Sequence, residues 1–264
     1  MPHASQPFQN KNVFLSAEWR DLVMLNYEVS PRLLQPYIPR GTELDSFESK
    51  TFVSLVGFRF LNTKLFGILP IPFHTDFNEV NLRFYVRRHE GGTTKRGVVF
   101  IREIVPRRAI ALVARLAYGE NYVALPMKHK VSVHGATVTA GYQWQLNGQW
   151  CGLHAEAPEP SIQPEEGSLE QFITEHYWGY AAQRDGRCNE YQVVHVPWRV
   201  WATTSAGVDG DSNVLYGPEF SRILRAAPIP HSSPTARPSA YSMARASHDQ
   251  PVDERLLLVH YGLD

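Results

Sequence analysis

The chain has 264 residues, of which 43% are hydrophobic, so it can bury one large core or two small ones. Its 26 basic residues balance its 26 acidic residues, and this neutrality argues against a polyanionic partner such as nucleic acid. Cys151 and Cys188 have no metal-ligand spacing and suit a reducing compartment better than a disulfide framework. The N-terminus lacks the apolar segment of a secretory signal, and the longest apolar run is too short to cross a bilayer. We therefore predict a cytoplasmic protein with no membrane partner.

Alternating hydrophobicity dominates the chain, and helical periodicity is rare. In chain order, the patterns predict a strand at 21–29, a short helix at 31–37, strands at 43–47, 51–60, 76–88 and 98–104, a helix at 106–118, strands at 127–134 and 136–146, a helix from 168 to about 176, strands at 177–184, 190–196 and 198–203, a helix at 216–225 and a terminal strand at 254–261. Asn147-Gly148 is the strongest hairpin signal, and Ser168 begins a capping box. Residues 62–75 and 89–97 are expected to be loops.

The domain organisation is simple. Residues 1–13 are polar and are expected to be flexible. Residues 14–225 contain no repeat or compositional break, so they are expected to form a single domain. Residues 226–264 are rich in Pro and Ser and predict a tail with one terminal strand. The fold class that fits this pattern is α+β, with a large, curved, mainly antiparallel sheet and a few short helices.

The predicted strand at 76–88 has two very different faces. One face is apolar and carries Val80, Leu82, Phe84 and Val86; the other carries Glu79, Asn81, Arg83, Tyr85 and Arg87. Successive side chains on one face lie about 6.6 Å apart, so the polar groups form a row. Such a row either lines the polar interior of a cone or forms a solvated outer face. The rarity of buried Arg and Glu favours the solvated face. The clean apolar face opposite motivates the prediction that the row faces an enclosed cavity.

The row suggests a site for a small molecule. Arg83 would hold a substrate carboxylate, and Glu79 would act as acid or base. Asn81 and Tyr85 would contact the substrate from the same face. The alternative is a structural ion-pair network without chemistry.

A pair of lysines is the second candidate. Lys128 and Lys130 are two apart on a predicted strand and therefore share a face. A lysine beside another cation has a lowered pKa and is a usable nucleophile, which makes Lys128 a catalytic candidate. An exposed pair that discourages edge pairing is the more common arrangement.

Metal and nucleotide sites are not expected. None of the 11 histidines shows a metal-ligand spacing. Gly91-Gly92 does not join a strand to a helix as phosphate loops do. We therefore expect no metal and no cofactor.

Several blocks resemble a known family. The segments WRDLVMLNYEV, FVSLVGFRF, FNEVNLRFYVR and YGENYVALPMKHK are similar to the YqjF-like family of unknown function. That family in turn resembles the acetoacetate decarboxylase-like fold, a large antiparallel sheet curled into a cone or barrel-like shape. The resemblance spans residues 18–225. It implies this fold and, together with the many aromatic residues, a homo-oligomer, most simply a dimer.

The resemblance to the decarboxylases bears on two positions of a possible active site. Their arginine just before the first long strand matches Arg20, which is therefore a substrate-binding candidate. Their Schiff-base lysine and its neighbouring lysine correspond to residues 118–122, YGENY, which contain no lysine. The resemblance therefore does not extend to a Schiff-base mechanism.

Three function classes remain open. The first is a lyase or decarboxylase-like enzyme for a small carboxylated or carbonyl compound, with Glu79, Arg83, Arg20 and Lys128 at its site. The second is a non-catalytic protein that binds such a ligand in the same place. The third is a structural domain whose polar strand face is solvated.

Overall fold

A computed structural model describes residues 15–66, 68–70, 75–107, 121–183, 185–193, 195, 197–229 and 243–244. Most of these residues are in strands. The strands are β1 (Leu15–Val29), β2 (Glu43–Leu44), β3 (Thr51–Leu65), β4 (Leu69–Pro70), β5 (Phe77–Glu90), β6 (Thr93–Val105), β7 (Tyr122–Ala124), β8 (Met127–His134), β9 (Thr137–Leu146), β10 (Gln149–Pro158), β11 (Trp178–Ala182), β12 (Cys188–Gln192), β13 (Ser205–Asp209) and β14 (Met243–Ala244). The helices are α1 (Pro31–Leu34), α2 (Leu169–Thr174) and α3 (Asn213–Leu224).

The described strands form two sheets. The large sheet follows the order β12-β11-β6-β5-β3-β1-β14, and the small sheet follows β13-β10-β9-β8. Neighbouring strands are antiparallel, except that β7 and β11 run parallel to β6. The two ends of the large sheet do not pair with each other among the described residues, so the sheet is open rather than a closed barrel. The predicted α+β class, with a mainly antiparallel sheet and few helices, is confirmed.

The main core lies between the two sheets. The apolar face of β5 is fully buried there, against Tyr142, Trp144 and Leu153 of the small sheet. The sheets approach closely at Gly57 of β3, where an added Cβ would lie 2.6 Å from Tyr142 Cδ2. Glycine at this position therefore permits the sheets to pack.

The other face of β5 is also covered. Phe52, Val56 and Phe58 of β3 pack there with Phe172 and Ile173 of α2 in a second apolar cluster. Polar side chains on this face are thus enclosed by apolar ones. The interpretation of this face as a solvated outer surface is wrong.

The β5–β6 hairpin is longer than predicted. Gly91 and Gly92, with φ values of 56° and 77°, form the turn by themselves, where a loop over 89–97 was expected. The extension is polar, and Lys95 Nζ lies 2.6 Å from Glu90 Oε2 and 2.7 Å from Glu190 Oε1. Charge pairs and a glycine turn continue the strands, so hydrophobic periodicity does not find their ends.

Helix α2 begins as predicted and ends earlier. Ser168 is its N-cap, and the Ser168 Oγ accepts a hydrogen bond from the backbone N–H of Gln171 at 3.2 Å. The chain leaves the helical conformation at Glu175. His176 therefore lies in the link between α2 and β11, beside the polar face of β5.

Other elements differ from expectation or lie outside the described residues. The predicted helix at 106–118 falls almost wholly on residues that are not described, as does the strand at 254–261. The predicted strand at 198–203 is reduced to isolated bridge residues at Val200, which pairs with Ile162, and Ala202. Helix α3 is bent at Gly217, whose φ is 78°. No described helix has the length and apolar character needed to span a membrane.

Part of the Pro- and Ser-rich tail pairs with the large sheet. Residues 243–244 form β14, which is antiparallel to β1 at Leu22 and Val23. The domain limit at residue 225 stays a prediction.

Candidate functional site

A buried row of polar side chains lies on β5. Glu79, Asn81, Arg83 and Tyr85 share one face, and only 3%, 2%, 7% and 1% of their surfaces are exposed. Strand β5 is central in the large sheet, so β3 and β6 flank the row on both sides. The period of two in the strand aligns the four groups, and Phe172 of α2 packs on Tyr85, with 5.5 Å between the ring centroids.

At one end of this row, Glu79 is held by two donors. Asn81 Nδ2 donates to Glu79 Oε1 at 3.0 Å, and the Tyr122 hydroxyl donates to Glu79 Oε2 at 3.2 Å. Glu103 is buried opposite Asn81 in the β5–β6 register and interacts with the same Tyr122 hydroxyl. One hydroxyl proton therefore serves two carboxyl groups, and the arrangement favours keeping one of them protonated.

Burial sets the proton affinities at this end. It raises the pKa of Glu79 to about 7, although the hydrogen bonds from Asn81 and Tyr122 and the charge of Arg83 act in the opposite direction. Burial, with the charges of Glu103 and Glu79, holds the pKa of Tyr122 well above its usual value. Tyr122 thus stays a donor, while Glu79 changes charge near neutral pH.

At the other end, Arg83 is buried without an anionic partner. Its Nη2 lies 3.9 Å from Met24 Sδ, and its Nε has no hydrogen-bond partner among the described residues. No described carboxylate forms a salt bridge with it. Ser54, which is opposite Arg83 in the β3–β5 register, is neutral: its hydroxyl donates to Asn26 Oδ1 at 2.6 Å and lies 2.5 Å from the Tyr85 hydroxyl.

A histidine and an ion pair adjoin Tyr85. The ring of His176 lies 4.7 Å from the Tyr85 ring, centroid to centroid, and its Nε2 is 3.5 Å from Asp45 Oδ2. Arg96 Nε donates to the same Asp45 oxygen at 2.6 Å. Burial would raise the pKa of Asp45, but the hydrogen bonds from His176 and Arg96 lower it to about 2. Burial lowers the pKa of His176 to about 4, so its ring is neutral at pH 7.

The structure separates Arg20 from the row. A β-bulge interrupts β1 at Asp21, whose φ is 55°. As a result Arg20 pairs in register with Arg59 on the opposite face of the sheet, where it contacts Glu18 at 3.1 Å. Met24, after the bulge, is the β1 side chain that reaches Arg83.

Lys128 is also apart from the row. It is exposed on β8 of the small sheet, and its Nζ lies 4.0 Å above the Trp150 ring. Lys130 is exposed on the same strand. Neither lysine contacts Glu79 or Arg83.

Three residues at the row had no signal in the sequence patterns. Tyr122 comes from β7, a short strand that pairs with β6. Glu103 lies on β6, and the register shift between Leu82 and Arg83 places it opposite Asn81. His176 comes just before β11, which reaches the row by pairing with β6. Among the described residues, no group of three or more His, Cys, Asp or Glu side chains is arranged to hold a metal.

Comparison with known proteins assigns this chain to an uncharacterised family. A family model described as DUF2071, uncharacterized conserved protein, matches residues 16–240. The chain belongs to this family. A relative, the uncharacterized protein YqjF of Bacillus subtilis (strain 168), is 25% identical over 236 residues, which cover 84% of this chain and 94% of the relative.

Solved structures share the fold of this DUF2071 chain. Acetoacetate decarboxylase from Legionella pneumophila has a TM-score of 0.58 at 14% identity, with 99% of this chain and 94% of that chain covered. The enduracididine biosynthesis enzyme MppR complexed with pyruvate has a TM-score of 0.58 at 11% identity, with 92% and 90% covered. An acetoacetate decarboxylase-like enzyme from Sphingomonas wittichii RW1 has a TM-score of 0.53 at 12% identity, with 98% and 97% covered. The expected decarboxylase-like fold is confirmed, and at these identities the likeness concerns the fold alone.

Proposed function

We propose that the polar row of β5 binds a small carboxylated or carbonyl compound. The observation that carries the proposal is Arg83, a buried guanidinium that no described carboxylate neutralises. Removing a charge from water without a partner costs several kcal/mol, so such a group calls for compensation. A ligand carboxylate would provide it through two parallel N–H···O bonds. Asn81 Oδ1, which has no hydrogen-bond partner among the described residues, would accept a hydrogen bond from a donor group on the ligand.

Glu79 supports an enzymatic role for this site. A carboxyl group with a pKa of about 7 exchanges protons readily at neutral pH, which suits general acid–base catalysis. In its ionised form Glu79 would take a proton from the carbon beside a ligand carbonyl, and the electron pair of that bond would move to the carbonyl oxygen to give an enolate. In a decarboxylation, protonated Glu79 would return a proton to the enolate carbon left after CO₂ departs. Both steps belong to a lyase or decarboxylase-like reaction.

Lysine chemistry has no place in this proposal. No described lysine contacts Glu79, Asn81 or Arg83, and residues 118–122, which the resemblance matches to the Schiff-base lysine of the decarboxylases, contain no lysine. The same observation favours the second candidate, a protein that binds the ligand without transforming it. Protonated Glu79 would then simply donate a hydrogen bond to the ligand.

The fold comparisons support a small-ligand site without specifying it. MppR was solved with pyruvate bound, and pyruvate is a small carboxylate with a carbonyl group. It is therefore a reasonable first probe for this chain.

Calorimetric titration with small carboxylates tests the proposal. We expect wild-type protein to bind at least one acid from a panel that includes pyruvate and acetoacetate, and not to bind acetone, which lacks a carboxylate. Arg83→Ala should abolish this binding. Arg87→Ala is the matched control, because Arg87 lies on the same strand but is only half-buried and is paired with Glu43 at 2.7 Å. Binding that survives Arg83→Ala, or a complete absence of binding across the panel, would contradict the proposal.

A further inference from the structure

A buried imidazole adjoins the row, and the proposed function does not use it. The side chain of His176 is 1% exposed and lies between α2 and β11. Its ring packs on Tyr85 and lies 5.2 Å from the Phe172 ring, centroid to centroid. The charge of Arg83 acts on it as well. His176 therefore belongs to the Arg83 end of the row.

Asp45 determines which ring nitrogen carries the proton. The backbone N–H of Asp45 bonds to the carbonyl of Tyr85 at 3.0 Å, which fixes Asp45 to β5. Its side chain is ionised by Arg96 and is therefore an acceptor only. Since Nε2 of His176 is the nitrogen that faces Asp45, a neutral imidazole holds its single proton there. The other nitrogen, Nδ1, then carries a lone pair.

This lone pair has no donor. Within the part of the chain that the structure describes, the buried Nδ1 of His176 has no hydrogen-bond partner, and Nε2 has only the long contact with Asp45 Oδ2 at 3.5 Å. The charged groups around the ring are Asp45, which favours the imidazolium, and Arg83 and Arg96, which oppose it together with burial. The ring consequently stays neutral, and a buried acceptor without a donor costs free energy. Arg83 Nε and Asn81 Oδ1 lack partners on the same side of the sheet.

We propose that His176 is a second ligand contact of the row, and that its Nδ1 accepts a hydrogen bond from a hydroxyl group of the ligand. This rests on the proposed function, which assigns the ligand carboxylate to Arg83. The ligand class is then a hydroxy carboxylate, or the enol form of an oxo acid. An oxo group presents only lone pairs, so it would place an acceptor against the Nδ1 acceptor. The site therefore discriminates the hydroxy acid from the corresponding oxo acid.

Matched pairs of ligands test this inference. We expect wild-type protein to bind lactate more tightly than pyruvate, and 3-hydroxybutyrate more tightly than acetoacetate, by about tenfold, as for a site that loses one hydrogen bond to a buried group. His176→Leu should reduce the preference to less than about twofold, because an apolar side chain cannot accept from the hydroxyl. His134→Leu, at an exposed position on β8, is the control and should keep the preference.

A spectroscopic measurement covers the case in which His176→Leu does not fold. In wild-type protein labelled with ¹⁵N at histidine, the Nδ1 resonance of His176 should shift on addition of lactate and not on addition of pyruvate. Equal binding of both members of each pair, with Arg83 still required, would overturn the role of His176 and leave the proposed function intact. Absence of binding by any of the four acids would overturn both.

Discussion

Replacing Glu79 with glutamine is expected to change stability in a way that depends on pH. The carboxyl group titrates at about 4.5 in the unfolded chain, and burial raises its pKa to about 7 in the folded protein. The folded state therefore binds the proton more tightly. Well below pH 4.5 the carboxyl is protonated in both states and does not change the free energy of unfolding. As the pH rises to 7 and above, it lowers that free energy progressively. At about 1.4 kcal/mol per pKa unit, the cost is roughly 1 kcal/mol at pH 5 and roughly 3 kcal/mol at pH 8.

Glutamine has no charge to desolvate, so this cost disappears in the variant. The amide oxygen still accepts from Asn81 Nδ2, while the contact with Tyr122 is weakened by about 1 kcal/mol at every pH. We therefore expect Glu79→Gln to have nearly the wild-type free energy of unfolding at pH 5, and to exceed it by about 2 kcal/mol at pH 8.

Urea unfolding followed by tryptophan fluorescence at the two pH values measures the difference. Other titrating groups, including Asp45 and His176, are common to both proteins and cancel when the variant is compared with wild type. Glu28→Gln is the control, since Glu28 is exposed and paired with Lys50 at 2.9 Å. An effect of Glu79→Gln that is the same at pH 5 and pH 8 would refute the reasoning.

Three further predictions address charge, chemistry and assembly. Arg83→Met should raise the free energy of unfolding of the ligand-free protein by about 1–3 kcal/mol in urea, because an apolar chain replaces an unpaired buried charge; a decrease would indicate a structural ion pair. Borohydride reduction with β-keto acids should leave the intact mass unchanged, and an adduct mapping to Lys128 would contradict this. Light scattering at micromolar concentration should give the mass of a dimer, with the exposed Phe66, Ile68 and Leu69 as a candidate interface; a monomeric mass would count against it.

Much of the fold follows from alternation in the sequence. The period of two in β5, the Asn147-Gly148 turn and the capping box at Ser168 all depend on neighbouring residues, and each was predicted correctly. The polar extension of the β5–β6 hairpin was missed because charge pairs hold it. The strand β13 was missed because its residues gain strand structure only by pairing with β10.

The site was predictable only where one strand encodes it. Glu79 and Arg83 share a face because of the pleat of β5, and the sequence shows this directly. Their surroundings come from residues distant in the chain, such as Tyr122 beside Glu79 and Met24 beside Arg83. His176 follows a helix without any pattern of its own, and the bulge at Asp21 turns Arg20 to the wrong face. Tertiary pairing therefore decides which polar residues meet.

The two parallel pairings of β6 bear on how a ligand reaches an enclosed row. Strand β5 pairs with β3 and with β6 along most of its length, whereas β7 and β11 pair with β6 over only three and two residues. Elements held by few, non-local contacts open at lower free energy than the centre of a sheet. We expect amide protons of β7 and β11 to exchange with solvent before those of β5. Water and solutes would then enter by brief undocking of these peripheral segments, while Glu79 and Arg83 stay in place on the intact central strand.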